Sequence, residues 1–224
     1  MAERKENIVR FPFMAQGHLI PFLALALRLE NTNKYTITFV NTPLNIKKLK
    51  SSLPPDSSIH LLEIQFNSID HNLPPCTENT DSIPFHLFPS FLRATSSLKF
   101  HFKALISDLI REQNGQKPLC IIADMFFGWC EEIAKELGVF HALFLGGGGF
   151  GFACFYSLWQ NLPHRKTDSD EFLLPDFPEA SIIDVSQMSK YLIETDGNDS
   201  FSVFYRQLLL FWKNADGILV NTVE

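Results

Sequence analysis

Several chemistries are missing from this chain of 224 residues. Its histidines and cysteines show no HxxxH, HExxH or CxxC spacing, so no metal site is set out. There is no Gly-x-Ser-x-Gly elbow, which disfavours serine hydrolase chemistry. No apolar run reaches the roughly 18–20 residues that span a bilayer. Basic residues number 19 against 25 acidic ones, a net charge of -6, which argues against a nucleic-acid backbone as partner. Tyrosine and tryptophan are scarce, 4 and 3 against 22 phenylalanines. Phe has no polar handle, so it fills cores or apolar pockets, and this surplus also suits a pocket for a flat, apolar ligand.

Four cysteines remain, Cys76, Cys120, Cys130 and Cys154. Cys120 and Cys154 lie in apolar runs and read as buried. The pattern is that of a reduced, cytoplasmic protein. The charged start, Met1 to Asn7, runs straight into a strand, so no signal peptide is expected ahead of it. In that setting the sequon Asn198-Asp199-Ser200 carries no meaning. With 46% hydrophobic and 20% charged residues, the chain supports a sizeable core.

The periodicity predicts a strand over 8–13 and a largely buried helix over 18–30, in which Pro21 is tolerable as a first-turn residue. A second strand follows from Tyr35 to Val40, with no returning hairpin. Strand, helix, strand at this spacing is a βαβ unit and implies a parallel sheet. Asn41-Thr42-Pro43 opens a basic helix ending near Ser51, and Ile59 to Ile64 is a third strand. Residues 67–84 read as a long irregular loop, functional or mobile. A helical pattern runs from Phe85 to Gln113, with a bend at Pro89 and a stop at Asn114-Gly115. Pro118 to Asp124 is an almost wholly apolar strand, as central parallel strands are. A helix over 128–137, a strand over 139–145, and a glycine run turning into an aromatic helix that reaches Asn161 come next. Residues 163–180 read as loop, 199–214 as helix and 216–222 as a last strand. The sequence stops almost at once, at Glu224, which suggests a cut chain or a partner that continues the fold.

Two residues carry the chemical signal. His18 follows the first strand across the turn Met14-Ala15-Gln16-Gly17, and Asp124 ends a central strand. In a parallel sheet these strand ends share one edge, where open α/β sheets place their chemistry. A carboxylate there would orient the imidazole and stabilise the imidazolium formed when His removes a proton. The plainer readings are an ordinary first-turn helix residue for His18 and a helix N-cap for Asp124. Gly146-Gly147-Gly148-Gly149-Phe150-Gly151 formally matches the dinucleotide fingerprint. However, Asp168 and Asp170 lie in a loop rather than closing a second strand. The run therefore favours a close backbone approach to a ligand or strand over NAD binding.

Four segments, taken in order, resemble one family: Phe11 to Pro21, Cys120 to Trp129, Ala134 to Val139 and Ala215 to Thr222. The chain is similar to the N-terminal domain of the plant UDP-sugar-dependent glycosyltransferases, which have the GT-B fold and act on small molecules. The resemblance implies an α/β fold, a Rossmann-like parallel sheet with helices on both faces, filling residues 1–224. It implies His18 as general base and Asp124 as its partner. Gln16, Phe88, Met125, Phe126 and Phe155 would line the acceptor pocket, and Gly17 and Gly146 would lie toward the donor. The implied reaction is inverting transfer of a sugar, glucose, from UDP-glucose to a hydroxyl of an apolar plant metabolite such as a phenolic or terpenoid alcohol. It needs no cofactor and no metal.

Two departures accompany the resemblance. The family's sugar-nucleotide signature belongs to a C-terminal domain absent from this sequence, so a separate C-terminal half is an expected partner and the chain alone should turn over little. Where many relatives carry Ser or Thr, this chain has Gly146 in a glycine run. The alternative is a non-catalytic module that binds a small molecule or a protein partner.

Overall fold

A computed structural model describes residues 5–222. Residues 1–4, on which the leader reading rests in part, and residues 223–224 at the chain end lie outside the described residues. The chain clusters into two compact units. The first runs up to Gly146 and takes back Ala215–Leu219; the second holds Gly147–Asn214 and the remaining tail.

In the first unit β1 (Glu6–Phe11) has five buried residues in six, so both of its faces are covered. α1 (Gln16–Glu30) begins two residues earlier than its periodicity suggests, because extended Ala15 already accepts the amide of Leu19 at 2.9 Å. Pro21 is therefore inside the helix rather than in its first turn. Lacking an N–H, it leaves the Gly17 carbonyl without the usual donor four residues on. β2 (Tyr35–Asn41) and α2 (Pro43–Ser52) follow, with Pro43 at the start of α2 where its missing donor costs nothing. β3 (His60–Glu63) is shorter than expected.

The helical stretch expected over 85–113 is broken. α3 (Phe88–Ala94) has Pro89 in its opening turn, so this proline starts a helix and does not bend one. The hydroxyls of Thr95, Ser96 and Ser97 then donate to the carbonyls of Leu92, Arg93 and Ala94. Such back-bonding competes with the helical ladder, and a 3-10 turn separates α3 from α4 (Leu98–Glu112). β4 (Cys120–Asp124), a 3-10 turn over 125–127, α5 (Cys130–Leu137) and β5 (Phe140–Leu145) complete this stretch, with left-handed Gly138 closing α5 at φ 62°.

The second unit contains α6 (Gly149–Asn161) and a short antiparallel pair, β6 (Glu171–Leu173) with β7 (Ile182–Asp184). The pair lies partly in the span expected to be loop; three-residue strands are too short to show alternation. α7 (Lys190–Glu194) and α8 (Ser200–Asn214) follow. β8 (Gly217–Val220) ends the described elements.

The main sheet has the order β3-β2-β1-β4-β5-β8, a Rossmann-like arrangement. The pairings from β3 across to β5 are parallel. The chain first winds outward from β1 to β3, then returns to the other side of β1. The strand order therefore reverses between β1 and β4.

The phenylalanines are mostly core. Under α1 and α2 the sheet buries Phe22, Phe39 and Phe144 with Ile37 and Leu19. Elsewhere in the unit Phe11 stacks on Phe102 and Phe127 at centroid distances of 4.6 and 4.4 Å. Each such side chain stabilises the fold by about 1.5–3 kcal/mol. One residue breaks this logic. Arg10 is fully buried on β1, its guanidinium lies 5.5 Å over the Phe22 ring, and its nitrogens have no hydrogen-bond partner among the described residues. Burial pushes its pKa down to about 9. The cysteine expectation also needs correction: Cys120 and Cys154 are half-buried, and Cys130 is the one fully enclosed.

Candidate active site

β1 and β4 are neighbours, with Phe11 paired to Ala123. The residues just beyond these two positions thus emerge side by side at the C-terminal edge of the sheet, at the point where the strand order reverses. There the Nδ1 of His18 and the Oδ2 of Asp124 are 2.8 Å apart. The His18 side chain is 24% exposed and that of Asp124 is 0% exposed. A carboxylate accepts and does not donate, so Nδ1 carries the proton and Nε2 is left as the basic nitrogen. The other oxygen of Asp124, Oδ1, accepts the amide of Phe126 at 3.1 Å. Asp124 is therefore both the cap of the 3-10 turn and the partner of His18; the two readings of this residue are compatible.

Burial alone would push the His18 pKa down. The charge of Asp124 and its hydrogen bond outweigh that effect, and the net result is a pKa above the ordinary 6.5.

Aromatic rings wall the imidazole. Phe126 lies 5.4 Å from it and Phe13 lies 5.3 Å from it, edge-on. Phe13 in turn touches Phe126 at 4.8 Å and Phe91 at 5.9 Å. Sequence reasoning missed Phe13 and Phe91, because an apolar residue inside an apolar run carries no signal of what it faces.

The other expected site residues are placed as follows. Gln16 lines a cavity of about 320 Å³ with Leu19, Ile20 and Leu23 of α1 and Lys48 of α2, a lining that does not include His18. Phe88 heads α3 and is half-buried. Met125 is buried at 4% exposure, while Phe126 is half-buried. Gly17 and Gly146 come together: a Cβ built at 146 would meet the Gly17 carbonyl at 3.5 Å and Pro21 Cγ at 3.1 Å. The glycine at 146 thus meets a close approach of α1. Phe155 belongs to the second unit, on α6, within an aromatic group formed with Tyr205 and Trp212 at 5.5 and 6.0 Å.

The Rossmann-like sheet defines the fold class, and the comparisons agree with it. Residues 5–162 match the family described as glycosyltransferase, N-terminal domain, and the chain belongs to it. Among curated proteins it is 47% identical to UDP-glycosyltransferase 92A1 of Arabidopsis thaliana, a match covering 100% of this chain and 47% of that protein. It is 48% identical to crocetin glucosyltransferase 3 of Crocus sativus, covering 98% of this chain and 46% of that one. The chain thus spans about half the length of these relatives. Among solved structures, Glycyrrhiza uralensis UGT73P12, complexed with glycyrrhetinic acid 3-O-monoglucuronide, superposes with a TM-score of 0.73 at 25% identity, over 98% of this chain and 44% of that one. A UDP-glucose: anthocyanidin 3-O-glucosyltransferase in complex with UDP gives a TM-score of 0.76 at 23% identity, over 98% of this chain and 47% of that one, and speaks for the fold alone.

Proposed function

We propose that this chain is the acceptor-binding, base-bearing half of an inverting UDP-glycosyltransferase. The observation that carries the reading is the 2.8 Å contact between His18 and buried Asp124 at the switch point. In the proposed step, Nε2 of His18 takes the proton from an acceptor hydroxyl. The oxygen attacks the anomeric carbon of the UDP-sugar, the bond to the diphosphate breaks, and UDP leaves with the electron pair. Asp124 holds the ring in its tautomer and balances the imidazolium.

Phe126 and Phe88 offer half-buried aromatic surface to a small apolar acceptor, a phenolic or terpenoid alcohol, together with buried Met125 and with Gln16 at the start of α1. Gly17 and Gly146 face the donor, which we take to be UDP-glucose. The first turn of α1 carries no acidic side chain, so its positive dipole end is compatible with a diphosphate. The free cysteines suit a reducing, cytoplasmic setting.

The test combines this chain with the C-terminal half of a relative such as UDP-glycosyltransferase 92A1 and assays transfer from UDP-glucose to a panel of phenols and terpenoid alcohols. Glucoside formation that His18→Ala abolishes supports the reading. Acceptor binding without transfer, unchanged by His18→Ala, would make the chain a binding module instead.

A further inference from the structure

The turn from β1 to His18 is short, and two of its carbonyls are held from outside. The side-chain amide of Asn41, at the end of β2, donates to the carbonyl of Pro12 at 2.8 Å. The backbone amide of Thr80 donates to the carbonyl of Met14 at 3.0 Å. Asn41 is fully buried, as is Met14. The same Asn41 also uses its Oδ1 to accept the amide of Thr42 at 3.0 Å, so its side chain cannot turn away without losing two bonds.

The donor at Thr80 is itself fixed. Asn79 donates through Nδ2 to Oδ1 of Asn45 on α2 at 2.8 Å, and both residues are buried. Asn45 donates through its Nδ2 to Thr42 Oγ1 at 2.8 Å and to the Glu78 carbonyl at 2.6 Å. The Glu78 carboxylate accepts the amide of Leu44 at the N-terminus of α2 at 2.8 Å. The segment 78–80, which the sequence presents as part of an irregular loop, is clamped to α2 by a buried amide pair and clamped in turn to the His18 turn. Buried polar groups of this kind are costly unless satisfied, and here they satisfy one another around a single turn.

We propose that Asn41 and the Asn45–Asn79 amide pair are positioning residues that set the β1–α1 turn so that the His18 imidazole meets Asp124. The proposal rests on the reading of His18 as the general base. Neither Asn41 nor Asn79 is proposed to touch the reacting groups. They act through the Pro12 and Met14 carbonyls, which lie six and four residues before His18. A contact of 2.8 Å between a half-buried ring and a rigid carboxylate tolerates little drift of the segment that carries the ring.

The test is an NMR titration of the His18 ring in the 224-residue chain. It compares the parent with Asn41→Ala, with Asn79→Asp, and with Ile133→Val, a core change on α5 that costs stability away from the turn. Asn79→Asp keeps the acceptor that caps Asp81 but loses the donor to Asn45. The expected result is that both asparagine variants bring the His18 pKa down toward its ordinary value, because the ring loses part of its charge partner. Ile133→Val should lower the melting temperature and leave the His18 pKa unchanged. Asparagine variants that melt earlier while His18 titrates as in the parent would overturn the proposal, since a purely structural role predicts that outcome. If Asn41→Ala does not fold, Asn79→Asp decides alone. A parent His18 that titrates at or below 6.5 would instead count against the His18–Asp124 pairing on which the base reading rests, a result separate from any difference between variants.

Discussion

His18 and Asp124, 106 residues apart, share a 2.8 Å contact while the second oxygen of that carboxylate holds the Phe126 amide. The proposed base, His18, must be neutral to accept a proton, so the proposed transfer should rise with pH through its pKa, which lies above the ordinary value. Asp124→Asn should move that rise to lower pH and slow transfer by about 10²–10⁴-fold. A pH-rate profile of the assembled enzyme measures both effects. An unshifted profile would show that Asp124 does not tune the ring.

The same pair makes a stability prediction with a definite sign. A histidine whose folded pKa is raised contributes stability that is complete below its unfolded pKa and is lost as pH rises through the folded value. The gap in melting temperature between the parent and His18→Asn should therefore be widest below pH 6.5 and close at higher pH. Thermal melts across pH 5–9 check this directly.

Arg10 should be replaceable with profit. Its buried guanidinium has a cation–π contact with Phe22, of the order of 0.5–2 kcal/mol, set against a desolvation penalty of several kcal/mol. Arg10→Met keeps an unbranched apolar side chain in the same space. We expect it to raise stability by about 1–4 kcal/mol, read as a higher urea midpoint. A lower midpoint would mean that the guanidinium is satisfied in solution.

His141 on β5 is buried, its ring nitrogens have no partner among the described residues, and burial pushes its pKa down to about 4. The unfolded chain binds a proton near 6.5 while the folded one resists until about 4, so stability should fall by about 3 kcal/mol as pH drops across that window. His141→Leu should flatten this part of the stability curve, which denaturation at pH 7, 5.5 and 4.5 will show.

The parallel sheet was legible because Ile8–Phe13, Tyr35–Val40 and Cys120–Ala123 are short stretches rich in apolar and β-branched residues separated by helix-length spacers, and such stretches have few other solutions. The meeting of His18 with Asp124 was legible for the same reason, since both follow central strands of one sheet. What escaped depends on contacts that no local pattern encodes. Hydroxyls at 95–97 turn back onto carbonyls only once α3 exists. Asn79 has meaning only beside Asn45. The buried state of Arg10 contradicts its charge, so the pattern of a strand residue could not announce it. Gln16 sits next to Gly17 in sequence, yet its side chain lines the α1–α2 cavity.

The reversal of strand order between β1 and β4 also bears on how the dyad comes into being. β1, α1, β2 and β3 are local neighbours and can assemble early, whereas closing β4 onto β1 demands a long loop and is slow by comparison. Until β4 pairs with β1, His18 has no Asp124 beside it. Formation of the His18–Asp124 pair and the joining of the two sides of the sheet are then one event, and the ring of His18 reports when it has happened.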